Sequence, residues 1–290
     1  MNFYDFIIHL PNKVFFPFSK DDQIYDHFQK TCCEHVDQNL DNINLCKYIM
    51  SILDREKFIN FIKKKRKENP NSYSVNIFNN LDESLKKEII KFFKDDKKIN
   101  KVSSMLGYKA KLRGVTLLVN FYNENTKEIE GAKMFHRDSD SLQDQIKLFI
   151  LVKDIGENCG NFYYVPKNFI NDTYRLPYED DRKTMKVSDK WRNYDRTVKM
   201  ALSKFKTNPN DAIRKLKGKQ GEAIYIDTGK VYHKGGFVDD KNDYRVLLQA
   251  VYTPHFSLSN WNKNKNKMLQ FFQKKLTNLR IKLRKEINIQ

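Results

Sequence analysis

From about residue 100 the chain breaks into short runs rich in β-branched and aromatic residues: RGVTLLVNFY (113–122), QIKLFILVKD (145–154), NFYYVP (161–166), GEAIYID (221–227) and YRVLLQAVY (244–252). Several are bounded by Gly, Asn or Asp, which turns require. Such punctuated runs predict antiparallel strands, and a set of them must stack or close so that each buries its apolar face. A sandwich or barrel of this size can occupy one domain of 290 residues.

Ahead of these runs, residues 20 to about 97 read as helical. Apolar positions recur at three and four in INLCKYIMSILDREKFINFIKKKR, and LDESLKKEIIKFFK repeats the pattern after a start signal at Asp82. Between Pro166 and Gly221 lies a polar excursion with short helices expected around DKWRNYDRTVKMALSKF and PNDAIRKL. Its length predicts a lid or binding element. The final segment carries Met268, Phe272, Leu276, Leu279 and Leu283 on one helical face, with basic residues opposite.

Charge and cysteines narrow the class. The net charge of +18 favours an anionic partner through long-range attraction. Most of the 54 cationic side chains are lysine, however, and phosphate recognition more often uses the bidentate fork of Arg. The opening MNFYDFIIHLPNKVFFPF is interrupted by Asp5, His9, Pro11 and Lys13, so neither a signal peptide nor a membrane span is expected. A cytoplasmic location is the expectation. Cys32, Cys33, Cys46 and Cys159 have no CxxC spacing and read as reduced, buried thiols without a role.

One motif carries chemistry. His136-Arg137-Asp138 spells the start of a kinase catalytic loop, but Gln143 stands where a second metal ligand would be needed. Gly107, Gly114 and Gly131 cannot make the preceding phosphate-covering loop. Read instead as His-x-Asp on a strand, residues i and i+2 project to one face and bring a nitrogen and a carboxylate oxygen to one metal. Six His and 36 acidic residues predict about 0.7 such matches by chance, so context must decide. His35-Val36-Asp37 matches too, but it falls in the expected helical layer, where i and i+2 diverge by about 200°.

The context for His136 and Asp138 is His233, just after a strand and turn, and Arg245 twelve residues later on the last strand run. Two His and one carboxylate hold one face of an octahedral metal, leaving three positions for a bidentate 2-oxo acid and O2. A guanidinium nearby would grip the distal carboxylate of 2-oxoglutarate. Lys147 alternates with Phe149 and could reach inward toward an anionic group, although a solvated or peripheral lysine is the commoner outcome.

Over residues 113–254 these features resemble the phytanoyl-CoA dioxygenase-like family of Fe(II)/2-oxoglutarate-dependent oxygenases, in the order His-x-Asp, a strand ending in Val165-Pro166, distal His233, then Arg245. The resemblance implies an α+β chain with a mainly β core. That core is a double-stranded β-helix, a jelly-roll or cupin-like barrel. One domain over 1–290 would comprise a helical layer (1–99), a jelly-roll core (100–256) with a lid-like insertion (166–220), and a basic amphipathic helix (257–290).

The resemblance also assigns roles. It implies Fe(II) on His136, Asp138 and His233, 2-oxoglutarate held by Arg245 with a contact from Asn120, and O2 as co-oxidant. The implied reaction hydroxylates an aliphatic carbon of a small or carrier-borne anionic substrate, such as a sugar acid, glycan component or acyl thioester, with release of succinate and CO2. Retention of Asp138 separates the chain from related halogenases, which have a small residue there. Lys167-Asn168-Phe169 replaces the usual Gly-Ser-His, so substrate contacts do not transfer.

Two alternatives stay open. Nucleic-acid demethylases resemble one another in a second Arg six residues after the cosubstrate Arg, and Val251 stands there, so nucleic acid is not favoured. A non-catalytic barrel with a basic surface is the other. Peripheral membrane contact through 262–287 is not favoured over packing of that stripe on the barrel.

Overall fold

The computed structural model describes residues 18–53, 55–68, 74–122, 145–156, 159–169, 208–216, 218–236 and 243–255, together with Asn12, Phe135, His136, Asp138, Val238 and Asp239. The central part of the expected lid (170–207) and the expected C-terminal helix (257–290) lie outside the described residues.

The N-terminal layer contains α1 (Asp22–Thr31), α2 (Leu40–Ile52), α3 (Arg55–Glu68), α4 (Glu83–Phe93) and α5 (Asp96–Leu106). Local chemistry sets their ends. Asp82 caps α4 by accepting from Leu85 N–H at 2.8 Å, as its sequence signal predicts. Gly107, at φ 73°, closes α5 in the left-handed conformation that glycine adopts without strain. The layer is not purely helical, contrary to the expectation for residues 20–97. Cys32 ends α1 at φ 53°, and Cys33–Val36 then forms β1; Ser74–Asn76 forms β2. Both short segments find open edges of the main sheet, and this tertiary pairing overrides their helical surroundings.

The remaining strands are β3 (Ala110–Phe121), β4 (Ile146–Leu151), β5 (Phe162–Val165), β6 (Arg214–Lys215), β7 (Ala223–Ile226), β8 (Tyr232–Gly235) and β9 (Tyr244–Pro254). They form two antiparallel sheets, ordered β1-β7-β4-β9-β3-β2 and β6-β5-β8. The segment PNDAIRKL, expected as a helix, makes only the short helix α6 (Pro209–Ala212) before turning into β6. Pairing of Arg214 with Tyr164 and Lys215 with Tyr163 brings that end of the excursion into a sheet. The described strands do not close into a barrel; His136 joins the edge of the smaller sheet through an isolated bridge.

Strand alternation divides the interior in two. On β4, Ile146, Leu148 and Ile150 pack outward against Ile49 of α2, Leu85, Ile89 and Phe93 of α4, and Met105 of α5. Phe149 and Leu151 point the other way, to a second core shared with Phe162, Tyr164, Ile224, Ile226, Val231 and Leu247. The large sheet is therefore covered on both faces, which explains why QIKLFILVKD reads as nearly continuous apolar sequence. Burying each of Leu85, Ile89 and Phe93 contributes about 1.5–3 kcal/mol. The helical layer backs the sheet that carries the site.

His35, on β1, bonds the buried Glu222 through Nε2 at 2.6 Å; Glu222 also accepts from Gly218 N–H at 2.8 Å. His35-Val36-Asp37 thus fails as a metal pair for a reason other than helical geometry: it lies on a strand edge, with the imidazole engaged by Glu222. All four cysteines are free and buried, and burial pushes the Cys33 and Cys46 thiols up to about 12. No helix among the described residues is long and apolar enough to cross a membrane.

Ile89 is fully buried at the junction of helix and sheet, so Ile89→Ala is expected to lower stability by about 2–5 kcal/mol. Urea denaturation should show a lower midpoint at unchanged slope; a loss under about 0.5 kcal/mol would mean that α4 is not part of the folding unit.

Candidate metal centre

His136 and His233 face each other as a hydrogen-bonded antiparallel pair. Each backbone N–H donates to the other's carbonyl at 3.0 Å. Residues opposed in this way project their side chains to the same face, and the two imidazole centroids lie 4.4 Å apart. Asp138, two residues on, is fixed by its own N–H donating to Thr228 O at 2.9 Å. Its side chain accordingly comes to the same face as that of His136.

The donors converge. Asp138 Oδ1 lies 3.6 Å from His136 Nε2 and 3.8 Å from His233 Nε2. One donor atom from each of the three residues falls within 4.8 Å of the others, and this is the one such cluster of His, Cys, Asp and Glu found among the described residues. Two donors sharing a cation at about 2.1 Å each can stand at most about 4.2 Å apart, and both Asp–His separations satisfy that limit. His233 Nδ1 lies 3.1 Å from Val231 O. A carbonyl only accepts, so Nδ1 carries the proton and Nε2 is left with its lone pair toward the cluster.

Electrostatics favour the metal-ready protonation state. Burial, reinforced by the charge of His136, depresses His233 to about 3, against an opposing pull from Asp138, so its imidazole is neutral near pH 7. At Asp138 burial alone would raise the pKa. The neighbouring His136 and His233 imidazoles and the bond from the Lys147 ammonium together overcome this and hold the carboxyl well below the usual carboxylate range. The set offers the neutral nitrogen of His233 and an ionised carboxylate oxygen beside a second imidazole, donor chemistry that a divalent transition metal requires.

Arg245 and Asn120 come together as a second cluster. They are directly opposed on β9 and β3. The buried Arg245 donates through Nη2 and Nε to Asn120 Oδ1 at 3.0 and 3.3 Å, and through Nη1 to Gly160 O. Gly160 lies on the same strand approach as Phe162, whose ring is 5.7 Å from that of His233. Arg245 and His233 therefore border one interior, and Asn120 stands there as the hydrogen-bond partner of Arg245.

Sequence reasoning undervalued Lys147. It is neither solvated nor peripheral: its Nζ bonds Asp138 Oδ2. The signal was there in the alternation, since Lys147 shares a β4 face with Phe149 and Leu151. Phe162, against the His233 ring, was not singled out at all; an aromatic in a strand run has no distinguishing mark in sequence.

No protein-family model matches the chain, and no curated protein sequence does. Solved structures similar to it include the non-heme alpha ketoglutarate dependent epimerase SnoN from nogalamycin biosynthesis, at 10% identity and TM-score 0.48 over 80% of this chain and 82% of that one. AviO1 from Streptomyces viridochromogenes Tue57 is 14% identical at TM-score 0.48, covering 83% and 98%. HygX from Streptomyces hygroscopicus, solved with nickel and 2-oxoglutarate bound, is 12% identical at TM-score 0.46, covering 82% and 88%. Likenesses this distant leave the chemistry to this chain's own side chains.

The depressed pKa values set a pH dependence. Between pH 6.5 and about 3 the unfolded chain protonates His233 while the folded chain does not, so metal-free stability falls as pH drops through that window. Asp138 acts in the same sense below its ordinary value, because its ionised form is the one the fold favours. The melting temperature of metal-free protein should decline from pH 7 to 4, and His233→Gln should flatten part of that decline; equal slopes in the two proteins would contradict the buried neutral imidazole.

Proposed function

We propose that the chain is an Fe(II)- and 2-oxoglutarate-dependent oxygenase on a jelly-roll core, of the phytanoyl-CoA dioxygenase-like kind. Its reaction would hydroxylate an aliphatic carbon of a small or carrier-borne anionic substrate such as a sugar acid, glycan component or acyl thioester. The observation that carries this reading is the convergence of His136 Nε2, Asp138 Oδ1 and His233 Nε2 on one point, with a buried guanidinium on the same interior. Two nitrogens and one carboxylate oxygen are the ligand set of ferrous oxygenases with open coordination positions.

In this reading His136, Asp138 and His233 hold the metal, and their roles follow from their surroundings. His233 is aimed by the carbonyl of Val231; His136 is aimed by its backbone bonds to His233. Bound iron with 2-oxoglutarate and O2 would supply the oxidising power, releasing succinate and CO2. Arg245 would take the distal carboxylate of the cosubstrate as a fork, with Asn120 holding the guanidinium plane through its amide oxygen. Phe149, Phe162, Leu247 and Ile226 line the interior and keep water from the reacting groups.

Anaerobic addition of Fe(II) and then 2-oxoglutarate is expected to give the visible charge-transfer band of a chelated 2-oxo acid, and His136→Ala should lose it. A featureless spectrum from iron-loaded wild type would refute the assignment. Arg245→Met should leave metal binding intact while weakening 2-oxoglutarate by about 2 kcal/mol, roughly thirty-fold. Equal cosubstrate affinity in that variant would remove Arg245 from the site.

A further inference from the structure

The Asp138 carboxylate has two oxygens, and they face different partners. Oδ1 looks at both imidazole Nε2 atoms, at 3.6 and 3.8 Å, whereas Oδ2 is bonded by Lys147 Nζ. Lys147 reaches it from the large sheet. On β4 it stands between Ile226 of β7 and Val251 of β9, and Gly114, opposed to Val251, has open space where a Cβ would sit. The ammonium thus reaches the carboxylate from a part-exposed end of the sheet with open space beside Gly114, and it bonds the oxygen that is not the one set against the two histidines. It occupies the neighbourhood of position 251, where this chain has valine.

We propose that Lys147 is a positioning residue that keeps Asp138 a one-oxygen ligand and adds positive charge where an anionic chelator must arrive. The inference rests on the oxygenase reading above. A carboxylate with both oxygens free can turn both toward a cation and fill an extra coordination position. With Oδ2 committed to an ammonium, that turn would break a charge-assisted bond and press the cation against the metal. The positions a bidentate 2-oxo acid needs stay open.

The sign of the effect separates this role from a general scaffolding one. Toward the metal, Lys147 acts in two opposed ways: its bond orients a ligand, and its charge repels a divalent ion. Toward a dianionic 2-oxo acid both effects help, because the positions are open and the local charge is favourable. Loss of Lys147 should therefore weaken the chelator and spare the metal.

The test is an anaerobic calorimetric titration of wild type, Lys147→Met, Lys147→Gln and Lys147→Arg, first with Co(II) and then with 2-oxoglutarate. Lys147→Met is expected to bind Co(II) within about threefold of wild type, or tighter, and to bind 2-oxoglutarate at least about tenfold more weakly. Lys147→Gln, which keeps a donor without the charge, should fall between, and carries the comparison if the methionine variant does not fold. Lys147→Arg should restore most of the chelator affinity. Unchanged 2-oxoglutarate affinity in the uncharged variants, or a chelator loss that merely tracks a loss of metal, overturns the proposal. Wild type that takes up no metal, or takes up metal but no 2-oxo acid, overturns the oxygenase reading itself and this inference with it.

Discussion

Two reciprocal backbone hydrogen bonds, between His136 and His233, are what the rest of the site depends on. They join segments nearly a hundred residues apart and oppose the two residues across an antiparallel bridge, which sends both imidazoles to one side. Asp138 follows because its own N–H is held by Thr228 O, placing a carboxylate oxygen within 3.8 Å of each histidine's Nε2. A slip of one residue in this pairing would turn every one of these side chains to the wrong face.

The fold protects that register by burying the large sheet on both sides. Outward-facing residues of β4 and β9, such as Leu148, Ile150 and Leu248, are covered by α2, α4 and α5; inward-facing ones, such as Phe149, Leu151 and Leu247, meet the smaller sheet. The polar residues Asn120, Lys147 and Arg245 sit on the inward faces, at positions where alternation would otherwise place apolar side chains. Placing charge there costs desolvation, which is offset only where a partner is supplied. Asn120 and Gly160 supply it for Arg245, and Asp138 supplies it for Lys147.

Much of this was legible in the residue order. The five strand runs fall on β3, β4, β5, β7 and β9, and His-x-Asp with the distal His233 meets in space as its strand spacing implies. What escaped had no local signature. β1 and β2 are four- and three-residue strands inside helical sequence, formed because open sheet edges accept them. The short β6 follows a helix signal at Pro209 that ends after one turn. The bland expectation for Lys147 failed because lysine burial depends on a partner nine residues earlier in the chain, and only the folded structure brings the two together. The misplacement of His35 on a helix led to a sound rejection by an unsound reason: Glu222, 187 residues away, is what occupies that imidazole.

The central claim is that three side chains share one divalent cation. Anomalous diffraction from crystals grown anaerobically with Fe(II) measures this directly. One strong peak is predicted within about 2.2 Å of His136 Nε2, Asp138 Oδ1 and His233 Nε2, with Asp138 Oδ2 still on Lys147. Iron-soaked crystals with no peak at this place, or with iron bound while the His233 ring points elsewhere, would contradict the account.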